Sequence, residues 1–146
     1  MTTKSTKPVF KKFMRFDAAK AAVGVAHHIV DENGNDYGTW TTSLFDIHNK
    51  YLKVANERFE REHANDVQAK GKNAHLYGFV QMCVHNWTGV LDANDKEIPF
   101  SKELAFEYLN DDDNSWFANE LVARSQDVTN YRAITPAATK EEDAGN

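Results

Sequence analysis

At 146 residues, with 41% hydrophobic and 12% aromatic side chains, the chain is long enough to bury one real core and too apolar for a disordered one. A net charge of −5 argues against broad binding to a phosphate backbone, which needs clustered Lys and Arg; the one basic cluster, Lys4, Lys7, Lys11, Lys12 and Arg15, reads as a solvated arm. The single cysteine, Cys83, excludes an intrachain disulfide and a multi-cysteine zinc site, and no apolar run approaches the roughly 18 residues of a membrane span.

Residues 1–8 are expected to form a flexible polar arm, and the run VFKKFMRF that follows mixes apolar and basic side chains in a way that suits a strand. The Ala-rich segment 17–22 suits a helical turn before Gly24. AHHIV and YGTWTTSLF are rich in β-branched and aromatic residues, and DENGND between them is dense in turn formers. That pattern predicts a hairpin with Asn33 and Gly34 at the centre of a type I′ turn, both at positive φ.

From Asp46 the apolar period lengthens from two toward 3.6. Ile47, Tyr51, Ala55 and Phe59 recur every four residues with Val54 beside them, and Lys53/Glu57, Glu57/Arg61 and Arg58/Glu62 supply charge pairs one turn apart. The spacing predicts a helix over 46–67, capped by Asp46 and stopped at Gly71. Leu76, Phe79, Val80, Cys83, Val84 and Trp87 share one helical face, which predicts a second helix over 74–86 packed on the first as an α-hairpin. Pro99 cannot continue a helical ladder, and Ser101 is a good N-cap for a third helix over 102–109, with Glu103 in its first turn and apolar pairs Leu104/Tyr108 and Ala105/Leu109. NDDDN interrupts it, and a fourth helix over 115–125 turns Phe117, Leu121 and Val122 inward. The polar tail 133–146 is expected to be disordered. The fold class is therefore α+β, mainly α: one domain over 9–132, with an extended and hairpin part at 9–45 and a bundle of about four helices at 46–132.

Motifs of catalysis and metal binding do not emerge. The six histidines lack HExxH or His-x3-His spacing. Asp31, Asn33 and Asn35 imitate the start of a calcium loop, but Gly34 stands fourth rather than sixth and Thr42 occupies the twelfth place; Asp92, Asn94 and Lys96 fail sooner, on a cation at the third ligand position. No Gly-rich phosphate loop or GxSxG is present. The expectation is a binding or assembly module, not an enzyme, with no cofactor, no metal, no nucleic acid and no membrane among its partners.

The stretch NWTGVLDANDKEIPFSKELAFEYL, with Trp-x-Gly-Val, an Asp/Asn-rich turn and Ile-Pro-Phe-Ser opening a helix, resembles the tail assembly chaperones of long-tailed, siphovirus-type bacteriophages. SWFANELVARSQD followed by NYR is similar to that family's last helix and closing aromatic, and the segment from RFDAAKAAV to SLFDIHNKY resembles its N-terminal part. The resemblance covers roughly residues 13–132 and departs at the polar segment EREHANDVQAKGKNAH. It implies a non-enzymatic protein of the host cell cytoplasm, excluded from the mature virion, that coats the tape measure protein, self-associates as a homo-oligomer, and helps recruit tail tube protein through a longer form made by translational frameshifting. The alternative is a virion-resident part such as a head–tail connector or tail terminator.

Trp87, Gly89, Pro99, Phe100 and Ser101 are read as architectural: Trp87 as core, Gly89 as the turn that lets Phe100 pack back, the whole as a joint between two helices. Trp116 and Phe117 are adjacent at a helix start and cannot easily both face inward, so one is a candidate for partner contact; the competing reading packs both under the preceding loop.

Overall fold

The computed structural model describes residues 7–13, 15–70 and 73–132, with the backbone alone described over 67–70. The α+β, mainly α class holds. In chain order come α1 (Ala18–Val23), β1 (Val25–Val30), β2 (Asp36–Thr42), α2 (Lys50–Lys70), α3 (Ala74–Cys83), β3 (Val84–Thr88), α4 (Lys102–Asn110) and α5 (Ser115–Gln126), with short 3₁₀ turns at Asp112–Asn114 and Val128–Tyr131. The strands form one antiparallel sheet in the order β1-β2-β3. Residues 7–13 carry no regular structure, so the strand expected from VFKKFMRF does not appear there. Residues 1–6, the stop at Gly71 and the tail 133–146 lie outside the described residues.

The β1–β2 hairpin forms where predicted, but its turn differs. Gly34 sits at φ 81, whereas Asn33 keeps a negative φ, since Asp95 is the one non-glycine at positive φ among the described residues. Gly34 N donates to Asp31 O and Asp31 N donates to Asn35 O, so the loop is a type I turn closed by a left-handed glycine. The Asp31 side chain decides this: its Oδ1 accepts from the Asn33 and Asn35 amides, both 2.9 Å away. A carboxylate that folds back to cap its own turn stabilises the type I geometry over the mirror-image one.

The second helix ends three residues earlier than expected, at Cys83, and the chain continues as β3. The reason is a β-bulge. Thr41 pairs with Asn86 but Thr42 with Val84, leaving His85 as an extra residue on β3. The insertion turns Val84 and Trp87, three residues apart, toward the same buried side, and that spacing is also the one a helix face demands. β-branched Val84 and Thr88 and the open edge of β2 then favour the strand. Lys102 completes the helix end: its Nζ donates to the carbonyls of Val80, Gln81 and Val84 (3.0, 3.0 and 2.5 Å), joining the last turn of α3, where Val80 O also accepts from the Val84 amide, to the first residue of β3.

Trp40 on β2 is fully buried at the centre of the core. Its ring lies 4.8 Å from Trp87, 5.0 Å from Phe117 and 5.6 Å from Tyr108, joining the sheet to α4 and α5. Phe79, Val80 and Cys83 of α3, Ala105, Phe106 and Leu109 of α4, and Phe117, Ala118 and Leu121 of α5 pack around it, with Ile29, Tyr77, Val84 and Val90 completing the cluster. A smaller cluster of Ala21, Leu44 and Tyr131 ties the chain's last described turn to α1 and the end of β2. There the Tyr131 hydroxyl donates to Thr42 O at 2.9 Å, so its oxygen accepts from His27 Nε2 at 3.2 Å. Ser125 Oγ donates to Leu121 O and therefore accepts from Thr42 Oγ1 at 2.6 Å. Among the described residues no buried side-chain polar atom lacks a partner.

Candidate functional site

The joint at residues 86–101 is built by backbone geometry and one indole. Trp87 is 4% exposed; its Nε1 donates to Ile98 O at 2.6 Å and its ring meets Phe100 edge-on at 5.3 Å. Between them Ile98 N bonds Val90 O, Leu91 bridges Glu97, and Asp92 caps a turn whose αL residue is Asp95 at φ 62. This turn repeats the Asp31 turn: Asp92 Oδ1 accepts from the Asn94 and Lys96 amides at 2.8 and 3.0 Å. Both aspartates that imitate calcium ligands in the sequence are thus spent on their own backbones. Gly89, at φ 72, crosses Gly38 on β2, at φ 84; a Cβ on Gly38 would stand 2.6 Å from Thr88 O, so only glycine permits that crossing. Ser101 Oγ accepts from Leu104 N at 3.0 Å and caps α4, directly after Pro99 and Phe100. The expected joint therefore links a strand to a helix, not two helices.

Phe117 and Trp116 part company at the start of α5. Phe117 is fully buried, stacked on Tyr37 at 4.7 Å, and offers no surface to a partner. Its neighbour Trp116 is 46% exposed, with its ring 5.8 Å from Tyr37. Of the pair, only Trp116 remains a candidate contact.

The larger open apolar surface lies on α2. Leu52, Ala55 and Phe59 turn toward the body of the protein, Phe59 against Gly78 of α3, so the packed stripe is Leu52/Ala55/Phe59 and not the Ile47/Tyr51/Ala55/Phe59 row of the sequence pattern. Ile47 is 87% exposed, Val54 64% and Tyr51 43%. Depressions of about 740 and 720 Å³ flank the helix, the first reaching Met82, His85 and Lys102, the second Phe45, Leu52 and His75. The spacing of Leu52, Ala55 and Phe59 was available in the sequence as the alternative inward face; Lys102, a cation one residue after a good N-cap, carried no such signal.

Titratable groups near these surfaces serve packing. Burial pushes the Cys83 thiol up to about 12 and the Tyr131 phenol to about 12, keeping both protonated. Burial lowers Lys102 to about 8, its charge held by the three carbonyls, and lowers His85, helped by the nearby Lys102 charge. His85 Nε2 stands 3.0 Å from Ser43 Oγ, but Ser43 is 6% exposed, so this bond fastens the end of β2 to β3. Among the described residues no three His, Cys, Asp or Glu side chains converge to hold a metal ion, and no helix is long and apolar enough to cross a membrane.

Fold and surface together define a small α+β domain whose distinctive external feature is apolar area on a long helix. The chain belongs to the YdaY prophage protein family, whose profile matches residues 47–146. It is a protein of phage origin. No curated protein and no solved structure matches it.

Proposed function

We propose that this chain is a non-enzymatic phage tail assembly chaperone that binds the tape measure protein, keeps it soluble and helps bring tail tube subunits to it. The observation that carries this reading is the open apolar row Ile47, Tyr51 and Val54 at and along the start of α2, in a protein of prophage origin. Exposed apolar area of this kind marks a binding surface, and a long helix flanked by grooves suits helical partners. The reading places the protein in the host cytoplasm as a homo-oligomer, supplemented by a longer frameshifted form that contacts tube protein.

Co-expression with the tape measure protein of the same prophage tests it. The expected result is that the tape measure protein becomes soluble and co-purifies with several copies of this chain. If it stays insoluble and nothing co-purifies even with the longer form supplied, the reading fails. Abundant peptides of this chain in purified virions would instead establish a resident connector or terminator.

A further inference from the structure

Three of the exposed apolar side chains, Phe13, Tyr51 and Val54, lie along one continuous depression. A depression of about 370 Å³ lies between the end of the N-terminal segment and the start of α2, and Tyr51 lines both it and the 740 Å³ groove between α2 and α3. Phe13, Phe16, Tyr51, Val54, Phe59 and Met82 therefore form one apolar track running from the N-terminal segment along α2. Phe13 is 78% exposed, more open than Tyr51 and Val54 on α2 beyond it.

The charge along this track is mainly positive, against the sign of the protein. The two depressions are lined by Arg15, Lys50, Arg58 and Lys102, with Glu62 the one carboxylate, and the depression on the far side of α2 adds Lys53 and no acid. Lys11 sits over the Phe13 ring at 5.6 Å and Lys50 over the Tyr51 ring at 5.4 Å, so cations lie directly on the aromatic steps. The first 16 residues carry five basic and no acidic side chains; with a net charge of −5 for the whole chain, the remainder carries −5 − 5 = −10. An acidic protein that collects its cations beside its exposed apolar row is built to attract one kind of partner and repel another.

We infer that this track is the docking surface for an amphipathic helix whose apolar face is flanked by carboxylates. Apolar side chains of that helix enter the groove between Val54, Phe59 and Met82, and its acidic flank meets Arg15, Lys50 and Arg58. The inference rests on the preceding reading only for the identity of the partner, an acidic helical segment of the tape measure protein. Its chemistry stands on the track alone.

Fluorescence anisotropy with two labelled 18-residue amphipathic peptides, one of Leu and Glu and one of Leu and Lys, tests it on the full chain. Net charge by itself favours the lysine peptide, so the comparison discriminates. The expected result is at least tenfold tighter binding of the glutamate peptide, weakened by salt. Val54→Asp should lower it tenfold or more with an unchanged circular dichroism spectrum, and Arg58→Glu should shift the preference toward the lysine peptide. Preference for the lysine peptide, no binding of either, or binding untouched by Val54→Asp and Arg58→Glu overturns the inference. The same variants in the tape measure co-purification separate the two claims. Capture by wild type and Val54→Asp alike removes the track but leaves the chaperone. A preserved peptide preference without capture removes the chaperone but leaves the track.

Discussion

Acidification should destabilise this protein well above the range in which carboxylates titrate, and His27 is the largest cause, with His85, lowered in the same direction, adding to it. Its ring is 6% exposed and donates to Tyr131; burial, aided by the Arg124 charge, lowers its pKa from 6.5 to about 4. The unfolded chain therefore takes up the proton first as the pH falls. Above pH 6.5 both states are neutral there and stability is at its full value; between 6.5 and about 4 the unfolded state binds more protons and stability falls. Linkage gives a loss of roughly 2 kcal/mol at pH 5 and roughly 3 kcal/mol at pH 4, as upper values for a fully enclosed ring. Urea unfolding at pH 7.5 and pH 5 measures it: with an m-value of about 2 kcal/mol/M, the midpoint should drop by about 1 M. His27→Gln keeps an amide donor near Tyr131 and removes the titration, so its midpoint should move far less between the same two pH values. Equal movement in both proteins would refute the argument and assign the acid sensitivity to other groups.

Other expectations follow from single contacts. Tyr131→Phe removes the donor to Thr42 O and the acceptor for His27 in an enclosed site, and should cost about 1–3 kcal/mol in urea unfolding. Gly38→Ala should destabilise by more than about 2 kcal/mol, because a positive φ adds to a 2.6 Å approach to Thr88 O, whereas Gly34→Ala, with open space around it, should cost only about 1 kcal/mol; a thermal melt ranks the two. Lys102→Met leaves three carbonyls at the end of α3 without their shared donor and should lower stability by about 1–3 kcal/mol, with α3 amides near Cys83 losing hydrogen-exchange protection first. Trp116→Ala should leave stability within about 1 kcal/mol of wild type, since the indole is half open, so any loss of partner binding in that variant reports contact and not unfolding.

Local signals carried most of the fold. The Asn-Gly turn region, the Ser101 cap and the long period of α2 each state a physical preference that tertiary packing did not overrule. Where the reading and the structure differ, two physical states share one pattern. Residues three apart lie together on a helix and also across a β-bulge, so Val84 and Trp87 fit either, and the choice was made by the free edge of β2, far away in the chain. On α2, two apolar rows that share Ala55 and Phe59 are both consistent with a helix; Leu52 packed on the core, with Tyr51 and Ile47 left open, settles which row is enclosed, and that packing joins elements distant in the chain. The candidate surface is legible only in part: adjacent aromatics at a helix start mark Trp116 and Phe117 as a pair of which one is exposed, while Tyr51 and Val54 fit the helical period and carry no sign of an open face.

The family match begins at residue 47, yet the domain does not. β3 lies inside the matched region, but its hydrogen-bonding partner β2 and the enclosed Trp40 lie before it. Tyr131, near the end of the described chain, accepts the Asp17 amide at its carbonyl and anchors its hydroxyl on Thr42. The N-terminal hairpin thus supplies the floor on which Trp87, Tyr108 and Phe117 pack. It also fixes where the functional surface can be. With the sheet, α4 and α5 committed to this one core, α2 packs by its inner stripe alone, and its outer row stays open beside the basic N-terminal segment. An apolar row that contributed to stability would be expected to face the core; one that faces water beside five lining cations and a single carboxylate is better explained by what it meets outside the chain.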